Sequence, residues 1–299
     1  MLQSLPSVPS TTSLTYPEGF LSPLEVDAAV ERALAEDLGR AGDVTSIATI
    51  PAGTPARAVV VARKAGAISG LPLVAATFRR LAPDIDIKAG ARDGDIVTAK
   101  TELMNIVGDA RAVLSAERVA LNLLGRLSGV ATATHEFARR VAGTHTRICC
   151  TRKTTPGLRA LEKYAVRCGG GFNHRFGLDD AILIKDNHIA VAGGIRAVLE
   201  RAKAAAGHLV KIEIEVDTLD QLREVLAVGL ADAVLLDNMD VATLRQAVEM
   251  VGGRFALEAS GGINLETIAE IAKTGVDYAS SGWITHSAPN LDVALDIEM

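Results

Sequence analysis

The sequence predicts an α/β protein: an N-terminal α+β sandwich-like domain followed by an incomplete, TIM-like α/β barrel of about six parallel strands. Three observations carry this. Hydrophobic residues make up 48% of the chain but aromatics only 3%, so the core is built from Ala, Val, Leu and Ile, as where helices cover a parallel sheet. From about residue 146, apolar strand-like runs alternate with helical segments, an order that implies parallel strands joined by right-handed crossovers. Open sheet and barrel both fit that order. Polar residues end nearly every run, which favours a barrel, because barrel sites gather at the C-terminal strand ends.

A chain of 299 residues suits one large or two medium domains. Residues 1–20, rich in Ser, Thr and Pro, read as a loosely ordered arm and lack the basic-then-apolar order of a secretory signal. Residues 21–125 read as the N-terminal domain, completed by 288–299, and residues 126–287 as the barrel. A first helix is expected over Pro23–Leu38, with Ser22 and Glu25 at capping-box spacing, Pro23 at the first position and Gly39 as the stop. Asp43 and Thr45 are placed to cap the next element. Between residues 57 and 108 lie the β-like runs RAVVVAR, AISG, IDIK, DIVT and LMNIVG, with one helix over Leu73–Leu81. Asp93-Gly94-Asp95 reads as a hairpin turn. A long helix is expected over Ala110–Val141, with Arg118 and Asn122 sharing a face.

The barrel strands are expected at Arg147–Cys150, Ala181–Ile184, Val210–Val216, Ala233–Leu236, Phe255–Glu258 and Tyr278–Ser280. Helices are expected at Pro156–Arg167, Ile189–Ala206, Leu219–Ala227, Val241–Val251 and Leu265–Lys273. The tail LDVALDIEM reads as a helix returning to the first domain.

Composition excludes several classes. A net charge of -5 argues against general nucleic-acid binding. No apolar run reaches the roughly 18 residues of a membrane span. Cys149, Cys150 and Cys168 have no zinc spacing and read as reduced packing residues of a cytoplasmic protein.

The chemistry concentrates in Thr151–His188. This stretch holds seven Lys/Arg against four acids, +3 in a chain of net -5. Arg159, Glu162, Lys163 and Arg167 are spaced as a solvated helix face. Arg152-Lys153 and His174-Arg175 instead lie where apolar segments meet loops, which suits an anionic ligand. Lys211, Glu213, Glu215 and Asp217 share one strand face by period two. Charges so placed are balanced either by lysines or by Mg²⁺, for which Glu215 and Asp237 form an oxygen pair on adjacent strands. Ser260-Gly261-Gly262 and Ser281-Gly282 follow the last two strands, the usual place for a barrel phosphate site. Lys185 at a strand end is compatible with a Schiff base; its cationic neighbours favour an anion clamp.

The segments TRKTTPGLRALEKYAVRCGGG and HRFGLDDAILIKDNH, with the strand ends above, resemble the quinolinate phosphoribosyltransferase family from about residue 24 to residue 287. The resemblance implies the same incomplete barrel and a homodimer in which Arg118 reaches the neighbouring active site. It implies that Arg118, Arg152, His174, Arg175 and Lys185 hold quinolinate. Lys153, Ser260, Gly261, Gly262, Ser281 and Gly282 would bind phosphoribosyl pyrophosphate, with Mg²⁺ at Glu215 and Asp237. Catalysis would fall to Lys153, Lys185, Glu215 and Asp237, yielding nicotinate mononucleotide, pyrophosphate and CO₂ in NAD biosynthesis. Two positions depart from the family pattern: Cys150 stands where an acid is common, and Trp283 where a small residue is usual. The competing readings are a related barrel with another substrate, such as the molybdenum-transport-associated relatives, a Lys185 aldolase, and an anion-binding regulatory barrel.

Overall fold

The computed structural model describes residues 14–17 and 19–298; most of the expected arm lies outside them. In chain order the elements are α1 (Pro23–Leu38), α2 (Val44–Thr49), β1 (Pro55–Ala62), β2 (Gly66–Ala67), α3 (Leu71–Leu81), β3 (Asp86–Ala89), β4 (Ile96–Val97), β5 (Glu102–Asp109) and α4 (Ala110–Val141). There follow β6 (Arg147–Cys149), α5 (Arg159–Cys168), β7 (Ile182–Ile184), α6 (Asp186–Ala192), α7 (Ile195–Ala205), β8 (Ile212–Val216) and α8 (Leu219–Val228). The last are β9 (Ala233–Asp237), α9 (Val241–Val251), β10 (Ala256–Ser260), α10 (Ile268–Ala272), β11 (Tyr278–Ser280), α11 (Trp283–His286) and β12 (Val293–Glu298).

Two compact units result. The first runs to Ala133 and includes Pro156–Gly170 and the chain from Ala288; the second comprises Thr134–Thr155 and Gly171–Ser287. The division falls inside α4 rather than at the expected 125/126, and α5 groups with the first unit although it lies between two barrel strands.

The first unit is an antiparallel sheet in the order β12-β1-β5-β3. Val60, Leu103, Met104 and Ile106 from its strands pack with Leu71, Val74 and Phe78 of α3 and with Leu121 and Leu124 of α4. The tail is a strand, not the expected helix: it pairs with β1 from Arg57↔Glu298 to Ala62↔Val293. Its apolar residues Val293, Leu295 and Ile297 recur every second position, the strand period. Helix α1 has the expected bounds, but the Ser22 side chain makes no cap hydrogen bond. Asp43 does cap α2, accepting the Thr45 and Ser46 N–H groups at 3.1 and 3.0 Å.

The Asp93–Asp95 segment is not a hairpin turn, because β3 and β4, which flank it, lie in different sheets. Asp93 is fully buried and accepts the Gly70 N–H with both oxygens and the Leu71 N–H with one, all at 3.0 Å. It thus satisfies the first orphan donors of α3. Burial pushes its carboxyl up to about 7, against the pull of those N–H groups and of the Tyr164 hydroxyl. Asp93→Ala strands two buried donors, each worth about 1–3 kcal/mol. The expected loss is about 2–4 kcal/mol of unfolding free energy in urea titrations; a loss under about 0.5 kcal/mol would refute the capping role.

The second unit is a six-stranded parallel sheet in the order β6-β11-β10-β9-β8-β7. Among the described residues no ladder joins β6 to β7. Phe172 borders β6 instead, donating its N–H to Ile148 O at 2.8 Å and accepting the Cys150 N–H at 3.1 Å. The expected Ile189–Ala206 helix is two helices, because Gly193 (φ 89°) and Gly194 (φ 112°) break it. The helix after β10 begins at Ile268, three residues beyond the expected Leu265. Asn264 Oδ1 accepts the Glu266 and Thr267 N–H groups and holds the intervening chain in a turn.

Candidate active site

The C-terminal strand ends of the second unit surround a cavity of about 620 Å³. It is lined by Arg152, Lys153, His174, Arg175, Lys185, Glu215, Asp237, Ser260, Gly261 and Gly262 among the residues expected from sequence, and by Thr151, Leu183, Leu235, Asn238, Glu258 and Ser280. Ser281, Gly282 and Arg118 do not line it. Ser281 is buried, its hydroxyl donating to Ile263 O at 2.8 Å. Gly282 packs behind Lys153: a β-carbon there would sit 2.8 Å from Lys153 Cδ and 3.2 Å from Thr151 Oγ1. Gly282 thus leaves room for the Lys153 side chain, while the Thr285 hydroxyl, donating to Lys153 O at 2.9 Å, holds its backbone. Arg118 lies on α4 in the first unit, beside a depression shared with Asp43 and Ser115.

Each cation is placed by local chemistry. After β6 the Thr151 hydroxyl accepts the Lys153 N–H at 3.0 Å, and Thr154 N–H donates to Arg152 O at 2.9 Å, a turn that turns both cations off the strand end. Arg175 anchors one guanidinium nitrogen to Ala181 O at 3.0 Å. Burial, and then Arg152, hold its pKa below the ordinary arginine value. The Nε atoms of both Arg152 and Arg175 are buried without a hydrogen-bond partner. Two adjacent guanidinium groups with unmet donors have the chemistry to take an anion, since an incoming carboxylate supplies the missing acceptors. Lys185 donates to Glu215 Oε2 at 2.8 Å, and its backbone N–H to His188 Nδ1 at 2.9 Å.

On the opposite wall Asn238, in the left-handed region at φ 53°, donates to Asp237 Oδ2 at 2.6 Å. Its own N–H bonds Ser260 O at 2.9 Å. Burial and the nearby Asp217 raise the Asp237 carboxyl above its usual range, with Lys185 and Lys153 opposing. A carboxylate so placed gains from an added cation. Gly261 and Gly262, at φ 90° and 62°, line the cavity, so this loop, rather than the N-terminus of α10, borders it after β10.

Beneath the cations lies a cluster that the sequence reading did not assemble. Glu213 Oε2 is 2.8 Å and Glu258 Oε2 3.8 Å from His174 Nε2. These three side chains have metal-ligand spacing, but His174 Nδ1 accepts the Arg175 backbone N–H at 2.8 Å. A backbone N–H can only donate, so the ring proton sits on Nε2, directed at Glu213, and occupies the position a metal would need. The same geometry makes His174 a neutral link that orients Arg175, not the additional cation expected from sequence. Glu258 joins the floor of this cavity to a second one of about 350 Å³, lined by Phe172, Ile182, Glu213 and Tyr278 among others. The strand residues Ala256, Glu258 and Ser260 share a face by period two, the signal that could have found Glu258.

The two departures are accommodated. The Cys150 thiol donates to Asn173 Oδ1 at 3.2 Å, and Trp283 packs on Phe137 with ring centroids 6.1 Å apart.

Residues 43–128 match the family model for the quinolinate phosphoribosyl transferase N-terminal domain, and residues 130–296 that for its C-terminal domain. A nicotinate-nucleotide pyrophosphorylase (carboxylating) of Mycobacterium leprae is 43% identical, covering 93% of this chain and all of its own. The chloroplastic enzyme of that name from Arabidopsis thaliana is 40% identical over 92% of this chain and 83% of its own. The nicotinate-nucleotide pyrophosphorylase structure from Francisella tularensis superposes with a TM-score of 0.90 at 38% identity, covering 94% of this chain and 98% of that one.

Proposed function

The chain belongs to the quinolinate phosphoribosyl transferase family and is a pentosyltransferase. On that premise we propose that it joins quinolinate to phosphoribosyl pyrophosphate, giving nicotinate mononucleotide, pyrophosphate and CO₂ for NAD biosynthesis. The observation that carries the substrate is the pair of buried, unpartnered guanidinium Nε groups of Arg152 and Arg175. Quinolinate brings two carboxylates, and a site that leaves such donors unmet discriminates strongly against a ligand lacking the acceptor.

In this reading Arg152, Arg175 and Lys185 hold the pyridine dicarboxylate, and His174 fixes Arg175 through its backbone. Lys153 binds the pyrophosphate, and Ser260, Gly261 and Gly262 bind the 5-phosphate. Gly282 acts from behind as the support of Lys153, and Ser281 as the tie to Ile263. The ring nitrogen attacks ribose C1 as pyrophosphate departs, and the 2-carboxylate then leaves as CO₂. Fixed charges, rather than a covalent nucleophile, lower the barrier by meeting charge where it develops.

The donor set of Glu215 and Asp237, both carboxylates on the cavity wall, fits Mg²⁺, which takes oxygen ligands and bridges phosphates. When bound it would neutralise pyrophosphate charge. We further infer a homodimer in which Arg118 of a partner copy supplies another cation to this cavity. A cytoplasmic setting agrees with three buried cysteines that form no disulfide among the described residues; no helix among the described residues is long and apolar enough to cross a membrane.

The test is turnover. Purified protein with quinolinate, phosphoribosyl pyrophosphate and Mg²⁺ is expected to release equal amounts of CO₂ and nicotinate mononucleotide, and nicotinate in place of quinolinate to give neither. Folded protein inactive with quinolinate would overturn the assignment. Borohydride trapping of a carbonyl substrate on Lys185 would replace it with aldolase chemistry.

A further inference from the structure

Loss of CO₂ from the ring leaves an electron pair on ring carbon 2, and the product carries hydrogen there, so a proton must be delivered inside the cavity. This inference rests on the decarboxylating transfer proposed above. The arginines that line the cavity are too basic to serve as acids. The Lys185 ammonium is already engaged by Glu215 at 2.8 Å, and Glu215 and Asp237 face the phosphate side.

Glu258 is differently placed. It is 5% exposed yet lines the cavity floor, and its Oε1 is buried with no hydrogen-bond partner. Its neighbours are a second, partly buried carboxylate, Glu213 on β8, the neutral His174, and Ser280 on β11. The Arg175 guanidinium lines the same two cavities and acts on Glu213. Two carboxyl groups gathered on one imidazole N–H within a barrel core resist carrying two negative charges, so the pair retains a proton. The ring N–H is committed to Glu213, which leaves Glu258 to carry that proton, with Oε1 open for it.

We propose that Glu258 is the acid that protonates carbon 2 of the decarboxylated ring. The bond from C2 to the carboxylate carbon breaks, CO₂ leaves, and the electron pair stays on C2. The Glu258 O–H bond then breaks, its proton forms the new C2–H bond, and its electron pair remains on the carboxylate. Water restores the proton, one per turnover, and the second cavity, which Glu258 also lines, gives it a separate approach. Burial first, and then Glu213, raise the Glu258 carboxyl to about 7, with the His174 ring N–H and a Ser280 hydrogen bond opposing. An acid poised near the working pH is the efficient one.

The experiment uses the full chain. Native protein is assayed first: absence of CO₂ release from quinolinate would defeat the functional reading itself, before any variant is made. With native turnover established, Glu258→Gln keeps the shape and removes the proton. It is expected to lower kcat on the order of 100-fold or more, with quinolinate affinity by calorimetry changed less than about threefold. The native kcat is expected to fall as pH rises through neutrality, as Glu258 ionises, and that limb to vanish in the variant. Glu258→Asp, which retains an acid, is expected to restore the limb and part of the rate. A Glu258→Gln kcat within about threefold of native, an alkaline limb that persists in it, or a Glu258→Asp enzyme without the limb would each overturn the proposal.

Discussion

Gly261→Val is expected to weaken binding of phosphoribosyl pyrophosphate by about 30- to 700-fold, the equivalent of about 2–4 kcal/mol. Two effects add. Gly261 sits at φ 90°, a conformation that a β-branched residue occupies only with strain of about 1–3 kcal/mol. Its β-carbon would also lie 2.1 Å from Asn238 Oδ1 and 2.9 Å from Asn238 N. The second of these is backbone, and it is committed to Ser260 O, so no rotamer change relieves it. Displacing Asn238 releases its amide from Asp237 Oδ2, and one substitution therefore disturbs both the anion loop and a carboxylate of the proposed Mg²⁺ pair. Gly262→Ala is the informative control. It too has positive φ, 62°, but its β-carbon meets nothing within 4 Å, so only the strain of about 1–2 kcal/mol applies. Calorimetric titration with the substrate separates the two. Affinity unchanged in Gly261→Val would mean that the 5-phosphate is bound elsewhere.

The same loop shows which parts of the site are legible from sequence. Lys153, Lys185, Glu215 and Asp237 were readable because each is a polar residue ending an apolar run, and the barrel topology brings such ends together. Ser281 and Gly282 end a run as well, yet they face Ile263 and Lys153 rather than the cavity. Strand-end position alone does not say which way a loop turns. The position of Glu258 and the protonation of His174, which lines the cavity as expected, were not legible for another reason. Their roles are mutual: the imidazole is neutral because Arg175 N–H meets Nδ1, and Glu258 matters because Glu213 stands beside the same ring. The first of these contacts joins chain neighbours, but those that bring Glu213 and Glu258 to the ring cross between strands and have no spacing in the chain.

Elements behave alike. Helix α1 was bounded by its own Pro23 and Gly39, and α9 by its own apolar period, so both came out as read. The tail misled because VALDIE carries good helix formers, while the strand β1 that recruits it lies some 230 residues earlier. Asp93 misled because Asp-Gly-Asp has turn chemistry, whereas its partners are Gly70 and Leu71. Local signals prevail where an element carries its own caps and period; long-range pairing prevails where it does not.

Arg126→Ala is the stability change expected to be largest in the first unit. Arg126 donates from Nε and Nη2 to Glu162 Oε1 at 3.0 and 2.8 Å, and from Nη1 to Ala288 O at 3.0 Å. One guanidinium thereby ties α4, α5 and the returning C-terminal segment. The Glu162 side chain has no exposure and Arg126 20%, so this pair is little screened by solvent. Removing one partner of a buried pair costs about 3–5 kcal/mol, chiefly because the remaining charge keeps its desolvation without its attraction. Arg126→Lys should fall between, since an ammonium cannot reproduce the fork that reaches Glu162 and Ala288 together. The double change Arg126→Met with Glu162→Leu removes both charges and fills similar volume; it is expected to recover most of the loss. Urea unfolding of the four proteins gives the comparison. A loss below about 1 kcal/mol in Arg126→Ala, or a double variant no more stable than Arg126→Ala, would show that the pair does not hold α5 and the C-terminal return to the first unit.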